Sequence, residues 1–350
     1  MLSLNKQILV SVCILSLFLY VFIFAQSPVT PNPSIEAQKL LSFLYEISGR
    51  HTLSGQHAAP LLGSTPLARM HKQVGVYPAV FGQDFGFSSP GSWDGINFRQ
   101  RIVDEAIRRH HEGFIITLMW HAVPPTEEEP VEFRLSIQGD LTEKEWQDLI
   151  TPGTHIHECW KSQVDVIAFF LKQLKYTDVP VLWRPYHEMN GGWFWWGHKK
   201  GEDGYKKLYR MLFKRLVHFH KLNNLLWVYN ANEIKEGVHP YEVYYPGDDV
   251  VDILASDVYT EGFNQSNYDA LLKLAGTRPV ALGEVGVPPS LEILAKQPRW
   301  IWYMRWSDTF HDWENYKTFW DMLTSDKVLT YEELPWVKQK NVKIHFPVLK

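Results

Sequence analysis

VPVLWRPYHE, residues 179–188, shows the pattern that predicts the fold. A short run of apolar and β-branched residues ends in polar side chains, and amphipathic stretches at 159–175 and 205–222 lie on either side of it. Buried strands of a parallel sheet have this composition, and the flanking stretches have the spacing of crossover helices. The segment therefore indicates one βα unit of an α/β protein.

Seven further runs along the chain have the same character. Together with 179–188 they give eight predicted strands, at residues 51–57, 78–85, 114–121, 179–188, 224–230, 250–259, 278–286 and 300–306. Eight strands that alternate with helices predict closure into a single (β/α)8 TIM barrel.

The active site of such a barrel forms at the carboxyl ends of its strands. The residues that end the eight runs are therefore site candidates, and they are Gln56, His57, Gln83, Asp84, Trp120, His121, Arg184, His187, Glu188, Asn230, Asp257, Tyr259, Glu284 and Trp306.

The N-terminal residues predict that the protein is exported. Lys6 precedes an uncharged apolar run over 8–24, and the small residue Ala25 follows it. This is typical of a secretory signal peptide, although a run of this length also permits an uncleaved membrane anchor. We expect a secreted, cell-surface or periplasmic protein, organised as a signal peptide over 1–26, a linker over 27–34, the barrel over 35–326 and a C-terminal extension over 327–350.

Composition narrows the class of partner. A formal net charge of −4 argues against a nucleic-acid partner. Without the N-terminal segment only Cys159 remains, so no intrachain disulfide is expected. No motif predicts a metal or a cofactor, and we expect a monomer.

Aromatic residues make up 14% of the chain, which indicates either a bulky core or rings that face a ligand.

Two carboxylates carry the functional hypothesis. Glu188 ends the fourth run and Glu284 ends the seventh, which places them across the mouth of a closed barrel. Glycoside hydrolysis uses such a pair, about 5–5.5 Å apart when configuration is retained and about 6.5–9.5 Å apart when it is inverted. The alternative is a structural role, with both glutamates paired to Arg184 or His187.

A longer set of motifs resembles glycoside hydrolase family 26, whose best-known members are retaining endo-β-1,4-mannanases. The similarity extends over about residues 35–325. The motifs occur in the family's order, and they are SGQH at 54–57, MWH at 119–121, RPYHEMNGGWFWWG at 184–197, YPGDDVVDILASDVY at 245–259 and LGEVG at 282–286.

The resemblance implies roles for individual residues. Glu188 would be the general acid/base and Glu284 the nucleophile, with Tyr259 hydrogen-bonded to the nucleophile. His187 would contact the nucleophile or the sugar's 2-hydroxyl, and His121 would bind the reacting sugar. Trp193 and Trp306 would be aromatic walls of the cleft. Two further candidates come from the residues themselves and not from the resemblance: Trp120 as a sugar contact, and Arg184 as a hydrogen-bond donor to Glu284.

The implied activity is endo-hydrolysis of a β-mannan-type polysaccharide or oligosaccharide. Related alternatives are action on mixed-linkage β-glucan or β-1,3-xylan, or release of mannobiose from chain ends, and the long segment over 122–152 is where we expect that choice to be made. A non-catalytic carbohydrate binder is a different alternative. The presence of both Glu188 and Glu284 argues against it.

Overall fold

Eight parallel strands form a closed barrel in the computed structural model, which describes residues 27–259, 262–306 and 313–339. The prediction of a single (β/α)8 barrel is confirmed. The strands are β1 (Thr52–Ala58), β2 (Val80–Phe85), β3 (Ile115–Trp120), β4 (Val181–Pro185), β5 (Leu225–Asn232), β6 (Ile253–Val258), β7 (Val280–Val285) and β8 (Trp300–Arg305).

Strand pairing follows the order of the chain. Each strand pairs with the next, and β1 closes the ring because it pairs with both β2 and β8. The β6–β7 register shifts between Ser256 and Asp257, where the strands approach the carboxyl end. A bulge of this kind changes the direction in which the following side chains point.

Helices surround the barrel between successive strands. Several of them begin at a residue whose side chain caps the helix, as at Thr154, whose hydroxyl accepts a hydrogen bond from the His157 amide. The helices are α1 (Ile35–Ile47), α2 (Thr65–Val74), α3 (Arg99–Glu112), α4 (Glu143–Leu149), α5 (His155–Tyr176), α6 (Tyr205–Phe213), α7 (Gln265–Ala275), α8 (Leu291–Lys296), α9 (Trp313–Leu323) and α10 (Pro335–Lys338).

The fourth strand is shorter than the sequence predicts. It ends at Pro185, and Tyr186 and Glu188 have φ angles of +48° and +56°. Residues with side chains rarely adopt this left-handed conformation, and such backbone strain occurs preferentially at functional sites. Glu188 therefore lies in a tight turn beyond β4 instead of ending the strand.

Residues at both ends of the described chain pack on the barrel. In the predicted linker, the Val29 amide donates to Asp252 Oδ1 at 2.8 Å, and Thr30 is buried. In the predicted C-terminal extension, a short strand β9 (Val328–Leu329) pairs with β1. The predicted signal peptide lies outside the described residues, and no helix within the described ranges is long and apolar enough to cross a membrane.

Most of the large aromatic side chains fill the core. The tryptophans with less than 2% of their surface exposed are Trp120, Trp183, Trp195, Trp196, Trp227 and Trp302. For these rings a bulky core explains the aromatic content. Trp193 and Trp306 remain partly exposed.

Candidate active site

A cleft of about 320 Å³ opens at the carboxyl ends of the strands. A second cavity of about 460 Å³, which includes His57, Asp84 and Trp93, adjoins it and shares three residues with its wall. The cleft is lined by His121, Phe133, Gln138, His187, Glu188, Trp193, Phe194, Asn232, Tyr259, Glu284 and Trp306. The barrel thus brings together residues that are far apart in sequence.

Glu284, at the end of β7, is a buried carboxylate with two strong donors. Arg184 Nη2 donates to its Oε1 at 2.8 Å, and the Tyr259 hydroxyl donates to its Oε2 at 2.6 Å. Burial and the nearby Glu284 charge raise the pKa of Tyr259, so its hydroxyl keeps its proton and remains a donor. Charge-assisted hydrogen bonds of this kind stabilise the ionised carboxylate.

Arg184 supplies the positive charge beneath the cleft. Its Nε donates to Asn230 Oδ1 at 2.7 Å, and its Nη2 lies 3.6 Å from Asp257 Oδ1. Burial disfavours the cation, but the charges of Glu284 and Asp257 outweigh it and raise the pKa of Arg184. The guanidinium is therefore fixed in place and always charged.

Gly283 leaves room for this arrangement. A Cβ atom at that position would lie 1.9 Å from Asn230 Oδ1 and 2.6 Å from Asp257 Oδ1. Neither distance is compatible with van der Waals radii. The glycine that precedes Glu284 therefore permits the close packing below the site.

Glu188 has a different environment from Glu284. Its Oε1 accepts a hydrogen bond from Asn232 Nδ2 at 2.8 Å, and its Oε2 accepts one from Trp193 Nε1 at 2.7 Å. The hydrogen bonds from these neutral donors do not offset the cost of removing the charged carboxylate from water. Burial, and then repulsion from Glu284, raises the pKa of Glu188 to about 7.

Tryptophan donors hold the turn that carries Glu188. Trp196 Nε1 donates to the His187 carbonyl at 2.8 Å, and Trp160 Nε1 donates to the Tyr186 hydroxyl at 3.0 Å. Each indole N–H satisfies a buried polar group while its ring packs in the core. The strained turn is thereby fixed by the structure around it.

The imidazole rings of His121 and His187 are in edge-to-face contact beside the cleft, 4.7 Å between ring centroids, and their pKa values are shifted in opposite directions. His187 Nε2 lies 3.8 Å from Glu284 Oε1, and burial holds the pKa of His187 well below its usual value. His121 Nδ1 lies 2.6 Å from Asp84 Oδ2. Burial opposes ionisation of His121, but Asp84 outweighs it and raises the pKa of His121.

Two of the three aromatic candidates line the cleft, and the third lies in the core. Trp193 and Trp306 line the cleft, and the Trp306 ring stacks on His57 at 4.0 Å between centroids. Trp120 is only 1% exposed and packs near Tyr186, at 5.9 Å between ring centroids. The structure thus places Trp120 below the cleft, where it cannot stack on a bound sugar.

Four cleft residues were not among the sequence candidates, and one of them, Phe194, lies within the motif at 184–197. Asn232 was missed because the predicted fifth strand ends at 230, whereas β5 extends to Asn232. Phe133 and Gln138 belong to the long segment after β3, which the sequence associates with substrate choice without identifying particular residues. Loop residues of this kind carry no periodic signal.

One group has the spacing of a metal site. Ligand atoms of His187, Asp257 and Glu284 lie within 4.8 Å of one another, the only such set of three found among the described residues. The Arg184 guanidinium already lies against both carboxylates of this set. A bound cation would have to compete with that fixed positive charge.

Comparison with known proteins places the whole barrel in one family. A model described as glycosyl hydrolase family 26 matches residues 29–329. The mannan endo-1,4-beta-mannosidase of Thermothelomyces thermophilus is 34% identical over 317 residues, covering 87% of this chain and 62% of that protein. The mannan endo-1,4-beta-mannosidase A of a Piromyces species is 30% identical, and 50% of its length is covered. The chain thus spans about half to three-fifths of these curated relatives.

Solved structures give the same result. GH26A from a Muricauda species has 43% identity and a TM-score of 0.82, covering 87% of this chain and 99% of that one. A beta-mannanase from a symbiotic protist of the termite Reticulitermes speratus, complexed with gluco-manno-oligosaccharide, has 28% identity and a TM-score of 0.77, covering 89% and 98%.

Proposed function

The chain belongs to glycosyl hydrolase family 26, and we propose that it is a retaining endo-1,4-β-mannanase that acts on mannan-type polysaccharide. The curated relatives named as mannan endo-1,4-beta-mannosidases support the substrate class. The partly exposed rings of Trp193 and Trp306 support carbohydrate binding, because the C–H faces of sugars pack on aromatic surfaces.

One observation carries the mechanism: two buried carboxyl groups line the same cleft in opposite electrostatic environments. Glu284 is bound by Arg184 and Tyr259, which favour its charged form. Glu188 is held by neutral donors, and its pKa is raised to about 7 by burial and then by Glu284. A retaining glycosidase needs this difference, with one ionised nucleophile and one protonated acid.

In the first step, Glu284 attacks the anomeric carbon of the sugar. The bond from that carbon to the glycosidic oxygen breaks, and Glu188 gives its proton to the departing oxygen. A glycosyl ester on Glu284 results, and Glu188 is left as a carboxylate. The Arg184 and Tyr259 contacts hold the attacking carboxylate in one orientation.

In the second step, Glu188 acts as a base. It removes a proton from water, whose oxygen attacks the anomeric carbon and releases Glu284. Esterification of Glu284 removes the negative charge that raises the pKa of Glu188. The pKa of Glu188 therefore falls in the intermediate, when its charged form is needed. The two histidines lie in place to contact the bound sugar, His187 with a pKa lowered by burial and His121 with a pKa raised by Asp84.

The substrate assignment predicts a product profile. On a panel of mannan, glucomannan, lichenan and β-1,3-xylan, we expect cleavage of the first two and a rapid fall in mannan viscosity with products of mixed length. The readouts are viscosity and chromatography of early products. Preferred cleavage of lichenan or xylan, or mannobiose as the sole early product, would contradict the endo-mannanase assignment.

The two glutamates are expected to differ when removed. Glu284→Ala should lose turnover on every substrate, by at least about 10³-fold, because no nucleophile remains. Glu188→Ala should lose about 10²–10⁴-fold on mannan yet retain attack on an aryl mannoside with a good leaving group, and azide should speed its deglycosylation. Steady-state rates with both substrates check this. Full activity of Glu188→Ala on mannan would refute the acid/base assignment.

The raised pKa of Glu188 predicts the alkaline side of the pH profile. Because the acid must be protonated for the first step, kcat/KM on mannan oligosaccharides should fall as pH rises through about 7. For an aryl mannoside that needs no acid, kcat/KM should not fall there. If both substrates lose activity at the same pH, the fall does not report Glu188 and this interpretation fails.

A further inference from the structure

The end of β5 is joined to the turn that carries Glu188 by one buried side chain, Asn190. Its Oδ1 accepts a hydrogen bond from the Asn232 amide at 2.8 Å, and its Nδ2 donates to the Asn232 carbonyl at 2.8 Å. The same Nδ2 also donates to the His239 carbonyl at 3.0 Å. The Asn190 side chain thus holds both the amide N–H and the carbonyl group of Asn232.

Asn232 passes this constraint to Glu188. With its backbone held, its side-chain Nδ2 donates to Glu188 Oε1 at 2.8 Å. The Glu188 amide in turn donates to the Asn230 carbonyl at 2.8 Å. An N–H donor aimed at a carboxyl oxygen favours the ionised over the protonated form. Asn232 is buried, so water does not readily replace its hydrogen bond.

We propose that Asn232 is a positioning residue for the second half of the reaction: its fixed amide N–H stabilises Glu188 as a carboxylate, the form that accepts a proton from the attacking water. This inference rests on the proposed retaining mechanism. While Glu284 is charged, its repulsion opposes the ionisation of Glu188, and in the glycosyl-enzyme that opposition is gone. The Asn232 hydrogen bond is present throughout and ensures that Glu188 stays ionised after it has given up its proton.

Other groups also face Glu188 and act on its charge. Glu284 on β7 repels the carboxylate, whereas His121 after β3 attracts it. Asp257 and Tyr259, at the end of β6, also interact electrostatically with Glu188. Replacing Asn232 leaves all four in place, so its effect can be measured against a constant background.

The test compares pH profiles of Asn232→Ala with those of the wild type. Loss of the donor should move two limbs to higher pH by about one pH unit. The first is the alkaline limb of kcat/KM on mannan oligosaccharides, because Glu188 holds its proton longer. The second is the acid limb of kcat on an activated aryl mannoside, where the second step limits the rate, because Glu188 ionises later.

Asn224 provides a matched control. Its Nδ2 donates to the Val179 carbonyl at 2.8 Å, also from a buried position, but it lies before β5 at the opposite end of the barrel. Asn224→Ala should leave both limbs at their wild-type pH. If Asn232→Ala does not fold, Asn232→Asp serves as the second variant, because it keeps the shape while a negative charge replaces the donor and should shift both limbs further.

The outcomes separate this inference from the proposed function. Unshifted limbs in a folded Asn232 variant, with or without a uniform loss of rate, would overturn the role of Asn232. Equal shifts in Asn224→Ala would overturn it as well. Glu188→Ala, measured in parallel, tests the mechanism itself: full activity of that variant on mannan would refute the acid/base role of Glu188, whatever Asn232 does.

Discussion

Two buried carboxyl groups share one cleft, and the fixed cation beneath it pairs with one of them, Glu284. Arg184 lies against Glu284 and Asp257, so the positive charge stabilises the β7 side of the site. Glu188 receives only neutral N–H donors and is left with a raised pKa of about 7. Desolvation makes both effects large, because charges interact more strongly away from water. The proposed division between nucleophile and acid rests on this asymmetry.

The barrel makes the asymmetry possible by holding each group on a different element. Arg184 on β4 reaches Glu284 on β7 through the barrel interior, and Gly283 leaves the space that this packing needs. Glu188 lies on a strained turn that indole donors and Asn190 hold in place. A site built on rigid strands and a fixed turn keeps its geometry when one residue changes its charge.

The sequence predicts the barrel because each strand and helix has its own periodic pattern. It predicts Glu188 and Glu284 as a pair because both end predicted strands. It does not predict the turn at 186–188, since positive φ angles at Tyr186 and Glu188 have no compositional signal. It also does not separate Trp120 from the cleft-lining rings, because that depends on side-chain direction in the folded barrel. Asn232 was missed since strand ends are the least certain part of a sequence pattern.

The most direct test of this account is to trap the glycosyl-enzyme. In a 2-deoxy-2-fluoro mannoside the fluorine slows both steps of the reaction. A good leaving group speeds the first step only, so the ester on Glu284 should accumulate. Mass spectrometry of peptides from the inactivated protein should find one sugar, attached to Glu284. A sugar on another residue, or inverted product released with no covalent species at any time, would contradict the account.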